Sequence, residues 1–332
     1  MDKTKLVDGR ALILAGGDGT RLRAVTDKMA GGPRPKQFCA LLGPDPLLTQ
    51  TRRRVEHLIP KERTLIVVTQ AHQRFYGPLL TDASPRSIVV QPANRGTAPA
   101  ILHGLLRLRS QFDDTAVAIF PSDHYVGNDA AFMNYVRMAF DAVRLLSHAI
   151  VLLGAEPTEP ESGYGWIECG ERTDRSPLYR VRTFWEKPSP SLASALWHSA
   201  CLWNTFVVVS RVSRLLSVMA SALPDLYRMF EHMRDSLGTS RESECIARLY
   251  ENIDSIDFSD RVLVGRAQSL SVIPLSGVEW SDVGDVERLR RVIEDRHRTS
   301  ASVTDSAIAN DIRSDLPPLK RDRRVAGGNL SR

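Results

Sequence analysis

Short β-rich runs and longer stretches of helical spacing alternate along the first half of the chain. Apolar segments at Ala11–Leu14, Thr64–Thr69, Ser87–Gln91, Ala116–Phe120 and Ala149–Leu153 read as buried strands. Between them, Leu47–Leu58, Ala98–Ser110 and Ala130–Leu146 carry the spacing of amphipathic helices. This alternation implies βαβ units, and so an α/β fold with a doubly wound, mostly parallel, Rossmann-like sheet. Ligands of such sheets sit beyond the C-terminal strand ends. Three unusual stretches directly follow strands: a Gly-rich loop after Leu14, "QPANRGTAP" after Val90 and "PSDH" after Phe120. They are expected to converge on one edge of the sheet.

From about Glu156 the texture changes. "GYGWIE", "LYRVRTFWEKP" and "CLWNTFVVVS" read as longer, aromatic-rich strands. Helices are expected over about Arg211–Glu251, a further strand pair around Val272-Ile273, and a helix after Asp285. Arg298–Arg332, rich in Ser, Asp and Arg with Pro317-Pro318 and Gly327-Gly328, reads as a mobile tail, and its basic run Lys320–Arg324 as solvated.

The chain has 332 residues, 42% of them hydrophobic and 25% charged, enough to bury a sizeable core. A formal charge of +5 suits phosphorylated small molecules as well as nucleic acid. No element interleaves basic with aromatic residues, so a nucleic-acid partner is not expected. Four cysteines, far apart and without a CxxC pair, argue against a disulfide framework or a structural zinc site. The start, MDKTKLVDGR, is polar, and no run approaches the ~18 consecutive apolar residues of a spanning helix. A cytoplasmic protein without a membrane partner is the expectation. The sequence leaves homodimer formation open.

The first loop lies in "LILAGGDGTRLRAVTDKMAGGPRPKQF", Leu12–Phe38. It has no Gly-Lys-Ser/Thr and is therefore not a P-loop; Leu22 stands where a dinucleotide fingerprint needs its third glycine. Gly16, Gly17 and Gly19 let backbone N–H groups approach a phosphate, Arg21 adds a forked cation, and Lys36 a second cation.

"LAGGDGTRL" followed by "PKQF" resembles the signature of sugar-nucleotide pyrophosphorylases, nucleotidyltransferases that join a sugar 1-phosphate to an NTP. The "PKQF" ending is most similar to mannose-1-phosphate guanylyltransferases. "QPANRGTAPAIL", "PSDHYV", "GYGWIE" with "FWEKPS" and "LWNT", and "WSDVGD" resemble that group's later motifs, in order, to about residue 293. The resemblance implies transfer of a guanylyl group from GTP to mannose 1-phosphate, giving GDP-mannose and pyrophosphate. The attacking phosphate oxygen is already an anion, so positioning and charge neutralisation matter more than a protein base.

The same resemblance implies roles for individual residues. Arg21, Lys36, Asp123, Lys187 and Asp282 would be catalytic, with Asp123 and Asp282 holding Mg²⁺. The nucleotide site would comprise Leu14, Ala15, Gly16, Gly17, Gly19, Thr20, Arg21, Gln91, Asn94, Arg95, Thr97, Ser122 and Asp123. Gly165, Glu186, Lys187 and Asn204 would meet the sugar and its phosphate. Asp285 reads as a helix cap. One catalytic unit over 1–297 is implied, its nucleotide part at about 8–155 and its sugar part at 156–297, followed by the tail 298–332. From the sequence after residue 293, a second catalytic domain is not expected.

The pattern departs from the group at Ala24, where Pro is usual, and at Gly96 within "RGTAP". Phe206 stands where "N-[ST]-G" has glycine, and the eight residues Asp27–Arg34 fill a segment usually about half as long. That insertion reads as a mobile lid. Two alternatives are the same reaction with another base or hexose, such as glucose-1-phosphate thymidylyl- or adenylyltransfer, and a non-catalytic sugar-nucleotide-binding regulator.

Overall fold

A computed structural model describes residues 6–173 and 177–299; the tail expected at 298–332 lies outside them from residue 300 on. The strands are β1 (Arg10–Leu14), β2 (Thr64–Thr69), β3 (Ile88–Gln91), β4 (Ala116–Pro121), β5 (Tyr125–Val126), β6 (Ile150–Ala155), β7 (Gly165–Arg172), β8 (Tyr179–Glu186), β9 (Leu202–Arg211), β10 (Leu270–Leu275) and β11 (Trp280–Ser281). The helices are α1 (Arg23–Ala30), α2 (Leu47–Glu56), α3 (Gln73–Tyr76), α4 (Thr97–Gln111), α5 (Asp129–Leu145), α6 (Pro190–His198), α7 (Val212–Ala222), α8 (Pro224–Glu231), α9 (Glu242–Glu251) and α10 (Val286–Thr299).

Nine strands form one sheet in the order β3-β2-β1-β4-β9-β6-β10-β8-β7. Its first four strands are mutually parallel; β9 and β8 run against the rest. Because β7 also pairs with the start of β9, through Trp166↔Trp203, the strands β9, β6, β10, β8 and β7 close on themselves. Alternation along each strand feeds two cores. Leu12, Leu65, Val67, Val117, Ile119 and Leu152 face the layer of α4, α7, α8 and α9. Ala11, Ile13, Ile66, Val68, Phe120 and Leu153 face α2, α5 and α6. Each Leu, Ile, Val or Phe side chain among them, removed from water, stabilises the fold by roughly 1.5–3 kcal/mol.

A third, smaller cluster positions the site. Leu22, Leu41, Leu47, Val283, Leu289 and Val292 pack together and draw the loop after β1 against α10. Leu22 follows Arg21, Val283 follows Asp282 and Leu289 follows Arg288, so apolar burial brings these distant polar residues within reach of one another.

One expectation is corrected. Only one strand, β10, covers Val272-Ile273, between β6 and β8; β11 pairs instead with β5. The segment Asp27–Arg34 begins inside α1, which runs to Ala30. Gly31 ends α1 in the left-handed region (φ 67°), its N–H bonded to Asp27 O. The first glycine of Gly31-Gly32 is therefore a helix stop. α6 was not anticipated; Pro190 opens it, and Ser189 caps it by accepting from Leu192 N.

Candidate active site

The loops after β1, β3 and β4 do meet at the C-terminal edge of the parallel strands. Leu14 ends β1, and Ala15 N donates to Val67 O (2.7 Å). The Gln37 amide of the Lys36–Phe38 turn then donates to Ala15 O (3.1 Å) and Gly17 O (2.7 Å), and Thr69 Oγ1 donates to Gly16 O (2.8 Å). Gly19 takes φ 60°, opening a short 3₁₀ turn over Thr20–Leu22 that leaves the Arg21 side chain 57% exposed. Gln37 was not foreseen as a site residue, although "PKQF" contains it.

Lys36 lies at the centre. Its Nζ is 3.2 Å from Asp123 Oδ2 and donates to the Asp282 carbonyl (2.6 Å) and the Val283 carbonyl (3.2 Å), with only 9% of its side chain exposed. Asp123 follows β4; its neighbour Ser122 is buried and donates from its backbone N to Leu14 O (3.2 Å). Asp282 Oδ1 accepts from Gly284 N (2.7 Å) and Arg288 Nη1 (2.8 Å), while Oδ2 lies 3.5 Å from Arg21 Nη2. Burial pushes the Asp282 carboxyl upward, but Lys36 and Arg288 outweigh it and hold the group below its ordinary range. His124 packs edge-on against Trp280 (5.3 Å); burial pushes its imidazole down to about 4 against the pull of Asp123.

The Asp123 carboxylate at Lys36 and the Asp282 carboxylate between Arg288 and Arg21 are hard oxygen donors, and suit an ion such as Mg²⁺ that takes one or two carboxylates and completes its shell with phosphate oxygens and water. Among the described residues no group of three or more His, Cys, Asp or Glu is placed to hold a metal, so this pair would need a ligand's oxygens.

The loop after β3 is tied on both sides. Asn94 Nδ2 donates to Asp18 Oδ2 (2.9 Å), joining it to the Gly loop. Arg95 Nε donates to Tyr250 O (3.2 Å), and Thr97 Oγ1 donates to Asp257 (3.2 Å) while accepting from Phe258 N (2.7 Å). Gln91 is buried beside Gly16, its amide held by Thr69 Oγ1 (3.2 Å) and Tyr250 O–H (3.0 Å). Gln91 and Thr97 thus have their side chains committed within the protein. Tyr250, in the last turn of α9, and the segment Asn252–Phe258, leading into a π-helical turn at Ser259–Leu263, carry this wall; the sequence assigns no element to 252–263.

At the other end, Gly165 pairs with Glu186 across β7 and β8. A Cβ on Gly165 would lie 2.9 Å from Glu186 Oε2 and 3.2 Å from Asn204 Cβ, so these three residues converge. Lys187 Nζ sits 2.9 Å from Glu186 Oε1, and its backbone N donates to Tyr164 O (3.1 Å). Burial raises the Glu186 carboxyl pKa despite Lys187; burial lowers that of Lys187, and Glu186 more than reverses it. Tyr164 and Trp166 are core residues, buried with Trp203 and Trp280.

Lys187 (φ 46°), Phe206 (φ 64°) and Val283 (φ 47°) hold positive φ, a conformation that non-glycine residues adopt at a cost and that clusters at functional sites. Asn204 Oδ1 accepts from Phe206 N (3.1 Å) beside the register shift between β6 and β9. Asp285 caps α10, accepting from Arg288 N (3.0 Å). A separate cleft of about 600 Å³, lined by Arg52, Asp82, Phe112 and Leu237, opens at the start of β2, at the far end of the sheet. Arg52 is spent there in a two-pronged pair with Asp82.

A family model described as Nucleotidyl transferase matches residues 10–299. Xanthan biosynthesis protein XanB of Xanthomonas campestris pv. campestris (strain B100) is 29% identical over 291 residues, covering 85% of this chain and 59% of that protein. A putative mannose-1-phosphate guanylyltransferase of Vibrio cholerae serotype O1 is 29% identical over 290 residues, with the same two shares. The chain thus spans about three fifths of the length of these relatives. Among solved structures, a mannose-1-phosphate geranyltransferase from Thermus thermophilus matches with a TM-score of 0.75 at 28% identity, over 86% of this chain and 79% of that one. Among the described residues no helix is long and apolar enough to cross a membrane. With the family model running from β1 to the end of α10, the chain belongs to the nucleotidyl transferase family.

Proposed function

We propose that this chain transfers a guanylyl group from GTP to mannose 1-phosphate, releasing pyrophosphate, with Mg²⁺ held by Asp123 and Asp282. The observation that carries this reading is Lys36, whose one ammonium touches the Asp123 carboxylate and the Asp282 backbone at the C-terminal edge of the sheet. Arg21 points at the Asp282 carboxylate from the Gly loop. Cations, backbone N–H groups and two carboxylates are what joining two phosphorylated substrates requires.

A phosphate oxygen of the sugar substrate attacks the α-phosphorus in line. The new O–P bond forms as the bond to the β-phosphate oxygen breaks, and pyrophosphate leaves with the electron pair. Lys36 neutralises charge at the α-phosphate and Arg21 at the leaving phosphates. Glu186 and Asn204 accept and donate to sugar hydroxyls, and Lys187 meets the sugar phosphate. Asn94 and Arg95 line the nucleoside side. Mg²⁺, when bound, screens the phosphate oxygens and helps orient them. Guanine and mannose are supported by the names of the relatives rather than by a contact in this chain. Phe206, next to Asn204 and standing where the resembling group has glycine, is the observation that favours a second reading with another hexose 1-phosphate.

Asp123→Asn and Asp282→Asn test this reading. Each is expected to abolish turnover while the fold, followed by circular dichroism, survives. Near-normal rates in either variant would remove that residue from the metal site.

A further inference from the structure

Arg288 is a buried guanidinium that the reaction itself does not use. It lies in the first turn of α10, its side chain only 7% exposed. It donates from Nη1 to Asp282 Oδ1 (2.8 Å), pairs through Nη2 and Nε with the two Glu161 oxygens (2.9 and 3.3 Å), and approaches Asp285 Oδ2 through Nε (3.3 Å). Its central carbon stands 4.2 Å over the Tyr164 ring. Two glycine backbones form the slot around it. A Cβ on Gly284 would lie 2.7 Å from Nη1, and one on Gly163 would collide with Nη2. A planar, forked cation between carboxylates, an aromatic face and two bare backbones is fixed in rotation as well as position.

We infer that Arg288 is a positioning residue that fixes the rotation of Asp282, turning Oδ2 alone toward the phosphate side. The inference rests on the proposed metal role of Asp282. With Gly284 N and Arg288 both on Oδ1, that oxygen is taken, and Oδ2 is left facing Arg21. Glu161 in turn accepts from Gly163 N (2.7 Å), and Lys187 N donates to Tyr164 O (3.1 Å). Arg288 therefore joins the Asp282 loop to the loop that presents Gly165 and Lys187. Outer partners of this kind contribute roughly 10–100-fold to metal affinity by orienting the ligand.

The test is a Mn²⁺ titration with GDP-mannose present to supply the phosphate oxygens, free ion being read by electron paramagnetic resonance and corrected for Mn²⁺ held by GDP-mannose alone, on the wild type, Asp282→Asn, Arg288→Met, Arg288→Lys and Glu161→Gln. Arg288→Met is expected to weaken Mn²⁺ binding roughly 10–100-fold. Arg288→Lys, which keeps the charge but loses the fork, should restore part of it. Glu161→Gln, which loosens Arg288 without touching Asp282, should give a smaller loss if Arg288→Met fails to fold. Wild-type affinity in Arg288→Met or Glu161→Gln overturns the positioning role alone. Equal Mn²⁺ binding by wild type and Asp282→Asn overturns the metal reading, and this inference with it.

Discussion

The Lys36 ammonium stands 3.2 Å from Asp123 Oδ2 while donating at 2.6 Å to the backbone of Asp282, 246 residues away. One side chain thereby fixes the distance between the end of β4 and the turn before α10. Lys36→Met keeps the buried stem and removes the charge. It is expected to lower turnover by roughly 10²–10³-fold, the worth of one preorganised charge at a reacting phosphate. Steady-state pyrophosphate release checks this; near-normal turnover would place Lys36 outside the reaction.

Gly165 admits no side chain without moving Glu186 or Asn204. Gly165→Ala should raise the KM for mannose 1-phosphate by roughly tenfold, a loss of the size expected for one misplaced methyl in a binding pocket. The KM for GTP should change little. Equal effects on both substrates would mean that these residues do not form a sugar subsite.

Phe206 holds φ 64° with its ring against Phe258, 6.3 Å between centroids. In an ordinary strand Ala is better than Gly. Here Phe206→Gly should be more stable than Phe206→Ala by about 1 kcal/mol, because both lose the ring and only glycine is at ease in the left-handed region. Urea denaturation of the two variants decides it, and the opposite order would contradict the strained backbone.

His124 makes stability depend on pH. Burial lowers its imidazole pKa from 6.5 to about 4, with Lys36 and Arg54 adding to the shift and Asp123 and Asp282 opposing it. The unfolded chain therefore binds this proton more readily than the folded one. The sign is that stability is intact above about 6.5 and is lost as pH falls toward 4. Buried His103, also lowered by burial, adds to the same slope. Urea midpoints should fall from pH 7 to pH 5, and less steeply in His124→Asn. An unchanged slope would show His124 to be accessible to protons in the folded state.

The local pattern was enough for parts whose cause is local. Thr64–Thr69 is continuously apolar or β-branched and is β2, and Asp285 caps α10. The three strand-end loops converge because parallel strands point their C-terminal ends the same way. Features set by long-range pairing could not be read that way. Arg288 sits among other arginines of α10 and looks like a solvated helix residue; only folding brings Glu161 and Asp282 to it. Tyr250 and Asp257 acquire their partners from β3 and α4 in the same way.

The central claim is the reaction itself, and pyrophosphate release measures it most directly. The intact chain, with Mg²⁺, is offered each of four NTPs with mannose 1-phosphate and with glucose 1-phosphate. Release with GTP and mannose 1-phosphate well above every other pair is the predicted result. Release only with dTTP or ATP and glucose 1-phosphate would contradict the substrate assignment, and no release with any pair would contradict the enzyme.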